Sequence, residues 1–123
     1  MRIWIMDKEQ TPQRFPLQRL FHKVVKTTGT CSDVCNILRA RGYGSRINQL
    51  EEELDSAELV CVSTSELDTL SAGTEEWFYD LEAEVPGTNI RFGLHDSTEL
   101  FLVGDEPVAE AVAEVFSDLR HAT

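Results

Sequence analysis

Short apolar runs separated by polar turns predict four β-strands. Residues 2–6 begin the chain as a short buried strand, and residues 59–63 form a continuous apolar run, Leu-Val-Cys-Val-Ser, that is typical of a central strand covered on both faces. Residues 90–95 and 100–103 are joined by the polar tetrapeptide Asp-Ser-Thr-Glu, a pattern that predicts a β-hairpin.

Apolar residues spaced by three and four predict helices between these strands. Gly29 and Gly42 follow the first two apolar patterns, where glycine commonly ends a helix. Asp105 precedes the last pattern, where an aspartate caps the first turn. The predicted helices cover residues 17–28, 32–41, 47–54, 74–84 and 106–121, and residues 64–73 are expected to form a loop.

The order of these elements predicts a mixed sheet. Helical crossovers between the first three strands imply parallel neighbours joined by right-handed connections, and the hairpin adds one antiparallel strand. We therefore expect an α/β fold with a four-stranded mixed sheet, a parallel core plus one antiparallel hairpin strand, and helices packed on its faces. The chain has 123 residues, the usual size of one domain, so residues 1–123 are expected to form a single α/β domain.

The composition is globular, with 41% hydrophobic and 27% charged residues. No apolar run is long enough for a signal peptide or a transmembrane helix, so we expect a cytoplasmic protein that does not contact a membrane. The cysteines Cys31, Cys35 and Cys61 fit a reducing compartment, and the first two are expected on the buried face of the second helix. No spacing typical of a metal or nucleotide site is present, so we expect no metal and no cofactor.

Charge is distributed unevenly along the chain. The formal net charge is −11, yet residues 1–50 carry nine Lys or Arg side chains and only three acids. Residues 51–123 carry two arginines and nineteen acids. An asymmetry of this kind bears on partners and association and says little about the fold.

The last predicted helix carries the sharpest acidic pattern. Glu106, Glu110, Glu114 and Asp118 are spaced by four and span about 120° of the helical wheel, opposite the apolar stripe. Each like-charge pair at this spacing costs roughly 0.2–0.5 kcal/mol, and no lysine interrupts the row. The pattern is explained either by a docking face for a basic partner or by a solvated face of an acidic protein.

The predicted helix over residues 74–84 extends this acidic surface. Tyr79 falls on its polar face beside Asp80, and an aromatic residue among charges is a frequent anchor in protein interfaces. A partly covered surface tyrosine is the simpler alternative. The expected partner-binding residues are Tyr79, Asp80, Glu106, Glu110, Glu114 and Asp118.

The first predicted helix carries the opposite charge. Its polar face is basic, and such a patch is typical of phosphate or nucleic-acid contact. We do not expect nucleic acid, because a net charge of −11 repels a polyanion. Contact between the basic and acidic halves, within the fold or between copies of a homo-oligomer, is the alternative. The basic residues are Arg19, Lys23 and Lys26, with Arg14, Arg39, Arg41 and Arg46 beyond the helix.

Residues 68–77, Asp-Thr-Leu-Ser-Ala-Gly-Thr-Glu-Glu-Trp, follow an expected strand and open an expected helix. The segment resembles the strand–loop–helix at which nucleoside deoxyribosyltransferases and TIR-type NAD hydrolases hold a catalytic glutamate. The resemblance implies that Glu75 or Glu76 is a nucleophile or stabilises an oxocarbenium ion, and that Asp68 orients the nucleoside. It covers ten residues, and Leu81 stands where the TIR pattern has its glutamate. Capping of a helix explains both glutamates as well.

Two functional hypotheses follow. The first is a small acidic interaction or regulatory protein that binds and inhibits or tethers a basic protein partner, by analogy of charge and size with immunity proteins, antitoxins and phage-encoded inhibitors. The alternative is a small nucleoside- or NAD-processing enzyme that uses Glu75 or Glu76. We favour the binding protein, because the charge pattern extends over more of the chain than the ten-residue resemblance does.

Overall fold

The computed structural model describes residues 2–7, 16–28, 33–97 and 99–122. Within these residues the chain forms seven strands and four helices. In chain order they are β1 (Arg2–Ile5), α1 (Leu17–Thr28), β2 (Val34–Tyr43), α2 (Ser45–Leu54), β3 (Val60–Ser63), α3 (Thr64–Ser71), β4 (Trp77–Glu84), β5 (Arg91–His95), β6 (Glu99–Val103), α4 (Glu106–Ala113) and β7 (Leu119–Ala122).

All seven strands belong to one sheet, in the order β3-β2-β4-β5-β6-β1-β7. Every neighbouring pair is antiparallel. The predicted four-stranded mixed sheet with a parallel core is therefore wrong. Residues predicted as the second and fourth helices form β2 and β4, and α3 occupies part of the predicted loop. With these strands in place, β2 pairs antiparallel with both β3 and β4, and no parallel crossover remains.

The sheet is buried on one face only. In β1, Ile3 and Ile5 join the core, whereas Arg2 and Trp4 lie on the opposite face, and β5 and β6 alternate in the same way. The four helices supply the other half of the core, including Leu17 of α1 and Val112 of α4. We call the opposite side of the sheet the uncovered face. Its principal side chains are Arg2, Trp4, Arg39, Arg41, Asp80, Glu82, Arg91, His95, Phe101 and Arg120.

A β-bulge explains why β2 looks helical in the sequence. Leu38 is an extra residue between Ile37 and Arg39 in the pairing with β4. The buried residues of β2 are therefore Cys35, Ile37 and Ala40, whose spacing changes from two to three at the bulge. A spacing of three is also the mark of a helix face, so the period cannot distinguish the two structures here.

A second bulge has the same effect in β4. Tyr79 is the extra residue between Phe78 and Asp80, each of which pairs with β2. The core-facing residues Phe78, Leu81 and Ala83 again show one step of three before the step of two. The bulge also explains why Tyr79 is exposed while both of its neighbours are buried.

Other elements form where the sequence predicts them. Helix α1 has the predicted bounds, α2 begins two residues before its predicted start, and β5 and β6 form the predicted hairpin. Strand β3 exists, but it is an edge strand and not the predicted central one. None of the helices in the described part of the chain is long and apolar enough to cross a membrane.

The predicted last helix is shorter than expected. Asp105 caps it as predicted, accepting a hydrogen bond from the Val108 N–H at 3.2 Å, but the helix ends at Ala113. The chain then turns to form β7 beside β1. The Asp7 carboxylate fixes this turn by accepting hydrogen bonds from the Ser117 N–H, the Ser117 hydroxyl and the Asp118 N–H at 2.8–3.0 Å.

These contacts predict a pH-dependent contribution of Asp7 to stability. Burial acts to raise the pKa of this carboxyl, but the N–H groups of Ser117 and Asp118 outweigh it and hold the pKa below its ordinary 3.8. Stabilisation by a group with a lowered folded-state pKa is complete above the unfolded-state pKa and is lost as the pH falls through the folded-state value.

We therefore expect Asp7→Asn to lower the free energy of unfolding by about 1 kcal/mol at pH 7, because hydrogen bonds to a charged acceptor are weakened. Urea unfolding should show the difference from the parent chain shrinking below pH 3.8. Ser117→Ala, which removes only the hydroxyl donor, should cost less at pH 7. A difference that grows in acid would contradict this role for Asp7.

Gly93 of β5 generates a second prediction. A Cβ atom at this position would lie 1.8 Å from the Leu81 carbonyl oxygen and 3.1 Å from Cε1 of Phe101. We expect Gly93→Ala to lower the free energy of unfolding by about 2–4 kcal/mol, since β4 must shift to admit the methyl group. Gly104→Ala is the matched control, because its Cβ would meet only Ile90, at 3.4 Å. Similar losses of unfolding free energy in both variants would contradict the close contact between Gly93 and the Leu81 carbonyl group.

Candidate functional site

The acidic residues of α4 lie on the surface. Glu106 and Glu110 are exposed on the helix, and Glu114 is its exposed C-cap residue. We call these three residues the α4 acidic row. Helix α4 contains no Lys or Arg, and Lys23 of α1 contacts one end of the row, with its Nζ 3.4 Å from Oε2 of Glu114.

The structure does not bring the other three predicted partner-binding residues into this row. Tyr79 is exposed, but it lies on β4 and not on a helix. Asp80 is only 4% exposed and belongs to the uncovered face, on the other side of the sheet from α4. Asp118 follows the end of α4, exposed, with its carboxylate 3.9 Å from Arg120. A continuous acidic face over two helices is therefore not formed.

Asp80 is the centre of a polar cluster on the uncovered face. Its Oδ1 atom accepts a hydrogen bond from the Asp96 N–H at 2.9 Å, which anchors the tip of the β5–β6 hairpin. The guanidinium groups of Arg39 and Arg41 approach its two carboxylate oxygens at 3.6 and 3.5 Å, and Nδ1 of His95 lies 3.6 Å away. A carboxylate this deeply buried is stable only when cations and donors surround it.

A pocket of about 220 Å³ opens on the uncovered face beside this cluster. Strand register explains its composition: Arg39, Glu82, Gly93, Phe101 and Trp4 follow one another across five neighbouring strands. Gly93 carries no side chain in the middle of this row, and the Phe101 ring approaches it. The pocket is lined by Arg2, Trp4, Arg39, Asp80, Leu81, Glu82, Leu94, His95 and Phe101.

Arg2 closes one side of the pocket. Its guanidinium carbon lies 5.1 Å from the centre of the Trp4 ring and 5.4 Å from the centre of the Phe101 ring. A guanidinium held against aromatic rings keeps its N–H donors directed outward in its own plane. Among the residues that the structure describes, no carboxylate lies within 4 Å of this group.

The two layers of the fold differ in charge. The helical side, residues 17–28, 45–59, 64–76 and 105–116, carries four Lys or Arg and thirteen acids, a net charge of −9. The seven strands carry five arginines and four acids, a net charge of +1. The predicted asymmetry along the chain is thus an asymmetry between layers.

The predicted basic patch is divided by this arrangement. Arg19, Lys23 and Lys26 are on α1, whereas Arg39 and Arg41 lie on the uncovered face. Arg46 of α2 forms a two-point ion pair with Glu66 of α3, with N–O distances of 2.9 and 3.0 Å. Arg14 and Cys31 lie outside the described residues.

The segment that resembles a glycosidase site has another structure. Residues 74–76 lead directly into β4, so the strand–loop–helix is not formed. Glu76 accepts a hydrogen bond from the Ile47 N–H at 3.0 Å, where it caps the first turn of α2. Asp68 accepts hydrogen bonds from Gln18, at 3.0 Å, and pairs with His22, which ties α3 to α1.

The cysteines occupy different environments. Cys35 is buried in β2 and not on a helix, and burial raises the pKa of its thiol to about 11. Cys61 is exposed on β3, and its thiol donates to the Asn36 side chain. Within the described ranges, no group of three or more His, Cys, Asp or Glu side chains has the arrangement of a metal site.

Sequence reasoning missed the pocket because its residues come from five strands. Trp4, Arg39 and His95 are far apart in the chain, and only the strand register places them together. Period-two alternation in residues 2–5 and 91–95 gives a partial signal, since it directs Trp4 and His95 away from the core. The two bulged strands hide the same signal for Arg39 and Asp80.

Comparisons with protein-family models, with curated proteins and with solved structures found no match to this chain. Two surfaces of the molecule are therefore the candidate sites. One is the α4 acidic row on the helical side, and the other is the pocket beside Asp80 on the uncovered face.

The Asp80 cluster predicts an ordered series of stability losses. Asp80→Ala should lower the free energy of unfolding by about 2–4 kcal/mol, because the Asp96 N–H loses its acceptor and two guanidinium groups lose their counter-charge. Asp80→Asn keeps an acceptor oxygen and should cost less. Glu84→Ala on the same strand is the control and should cost under about 1 kcal/mol in urea unfolding, because this partly exposed carboxylate accepts one hydrogen bond, from Asn36. Equal losses for Asp80→Ala and Glu84→Ala would show that the cluster is not structural.

Proposed function

We propose that this protein binds a basic protein partner through the α4 acidic row and thereby inhibits or tethers that partner. The observation that supports the proposal most directly is the separation of charge, with a net −9 on the helical side against +1 on the strands. A surface of one sign attracts a partner of the opposite sign and orients it during approach.

The α4 acidic row is a part of this charge that a partner can reach, because all three of its carboxylates are exposed. Its successive pairs, Glu106 with Glu110 and Glu110 with Glu114, are like charges one helical turn apart, and each pair costs roughly 0.2–0.5 kcal/mol. A basic surface placed against the row replaces this repulsion with attraction. Lys23 offsets only the Glu114 end of the row.

Binding to this row should depend steeply on salt and on two charges. We expect Glu110→Lys/Glu114→Lys to abolish capture of the partner, while the melting temperature changes little because both side chains are exposed. The measurement is photo-crosslinking in an extract of the source cells, with the crosslinking residue at exposed position 113 of α4. Raising the salt concentration to about 0.5 M should suppress crosslinking, because screening shortens the Debye length to a few ångströms.

Glu52→Lys/Glu58→Lys is the matched control. It makes the same change in net charge at exposed positions in and after α2, so it separates the row from the overall field. Basic proteins should still be crosslinked by this variant. The proposal fails if crosslinking from position 113 survives Glu110→Lys/Glu114→Lys, or if both double variants lose it equally.

A further inference from the structure

We infer that the pocket on the uncovered face is a binding site for a small phosphate monoester, in which Arg2 and Arg39 hold the phosphate group from opposite sides. The site is separate from the α4 acidic row and does not depend on the function proposed for that row. Three features of the pocket support this site: the position of its two arginines, the charge of Arg2 and the volume.

Arginines reach the pocket from both ends of the strand row. Arg39 belongs to β2 and Arg2 to β1, and β4, β5 and β6 lie between them. Both line the same pocket, with the Arg2 guanidinium against Trp4 and Phe101 and the Arg39 guanidinium near Asp80. Arginine binds phosphate through two parallel N–H donors. Two guanidinium groups that approach from different directions can therefore donate hydrogen bonds to different oxygens of one tetrahedral anion.

Arg2 supplies a positive charge for an anion although the whole protein is acidic. Asp80 is one negative charge beside two arginines, Arg39 and Arg41, and Glu82 lies 3.8 Å from Arg91. Arg2 adds a third cation to the edge of the pocket. Glu84 and Glu99 also lie on this face, opposite Arg91 and His95 in the strand register, so four carboxylates match these four guanidinium groups in number. Among the described residues, however, no carboxylate lies within 4 Å of the Arg2 guanidinium, so the charge of Arg2 is available to an anion.

The acidic helical side does not cancel this local charge. Its exposed carboxylates lie beyond helices of about 10–12 Å diameter, on the other side of the sheet from the pocket. At about 0.15 M salt the Debye length is about 8 Å, so solvent-exposed charges at that separation interact weakly. Arg39 is 54% exposed and Arg2 is also exposed, so both arginines that line the pocket can contact a ligand from solvent.

The size and walls of the pocket limit the rest of the ligand. A volume of about 220 Å³ is below the roughly 300–1,000 Å³ of sites for drug-sized molecules, so the organic part must be small. Trp4 and Phe101 form an aromatic wall, with ring centres 6.1 Å apart, against which an apolar or planar group can pack. His95 lies next to this wall, with its ring centre 6.5 Å from that of Trp4.

Titration with inorganic phosphate at constant ionic strength tests the site. We expect one saturable binding event by calorimetry, with NMR shift changes at the Trp4 indole and the His95 ring. Arg2→Ala and Arg39→Ala should each weaken binding about tenfold or more, because each removes charge-assisted hydrogen bonds to the phosphate. Arg39→Lys keeps the charge but not the paired donors and should fall between the parent chain and Arg39→Ala.

Arg120→Ala is the matched control, since it removes an exposed arginine of the same face that does not line the pocket. It should change phosphate affinity less than twofold. An acetate titration distinguishes phosphate from carboxylate recognition, and tighter binding of acetate would overturn the proposed ligand class. Absence of saturation by phosphate, or equal weakening by Arg120→Ala and Arg39→Ala, would overturn the site.

Discussion

Burial of only one face of the sheet is the constraint on which the other features of this structure depend. Antiparallel strands alternate between a buried and a solvated side, and seven of them in one sheet leave a broad polar surface. The apolar sides of the helices must therefore cover the whole buried face of the sheet. Their outer sides can then hold charge, and the strands must place their own charges on the uncovered face.

The same constraint explains which elements the sequence could predict. Helix α1 and the β5–β6 hairpin have regular periods, and both form as expected. Strands β2 and β4 each contain a bulge, at Leu38 and Tyr79, which turns one step of two into a step of three. A single step of three is enough to suggest a helix in a short segment, and two false helices were enough to turn an antiparallel sheet into a predicted mixed one.

The two candidate sites also differ in how well the sequence predicts them. One depends on residue spacing within a single helix, and the other depends on contacts between distant strands. The α4 acidic row could be predicted, because a spacing of four within one helix is a local property of the sequence. Asp80 was placed in that surface wrongly, since its orientation depends on a bulge and its partners come from β2 and β5. Strand register brings Trp4 beside Phe101 and Arg39 beside Glu82, and no local pattern specifies such pairings.

The alternation of side chains along the strands also relates the uneven charge of the sequence to a difference in charge between the two layers of the fold. The arginines of β1, β2, β5 and β7 occupy positions that face away from the core, whereas most acids of the second half lie on or beside helices. An acidic protein can in this way keep a locally basic surface. Because the sheet and the helices stand between the two surfaces, the ligands proposed for them, a phosphate ester beside Asp80 and a basic protein at α4, would neither overlap nor interact strongly through solvent. One route of packed contacts between them runs from β5 to α1, whose Lys23 contacts Glu114.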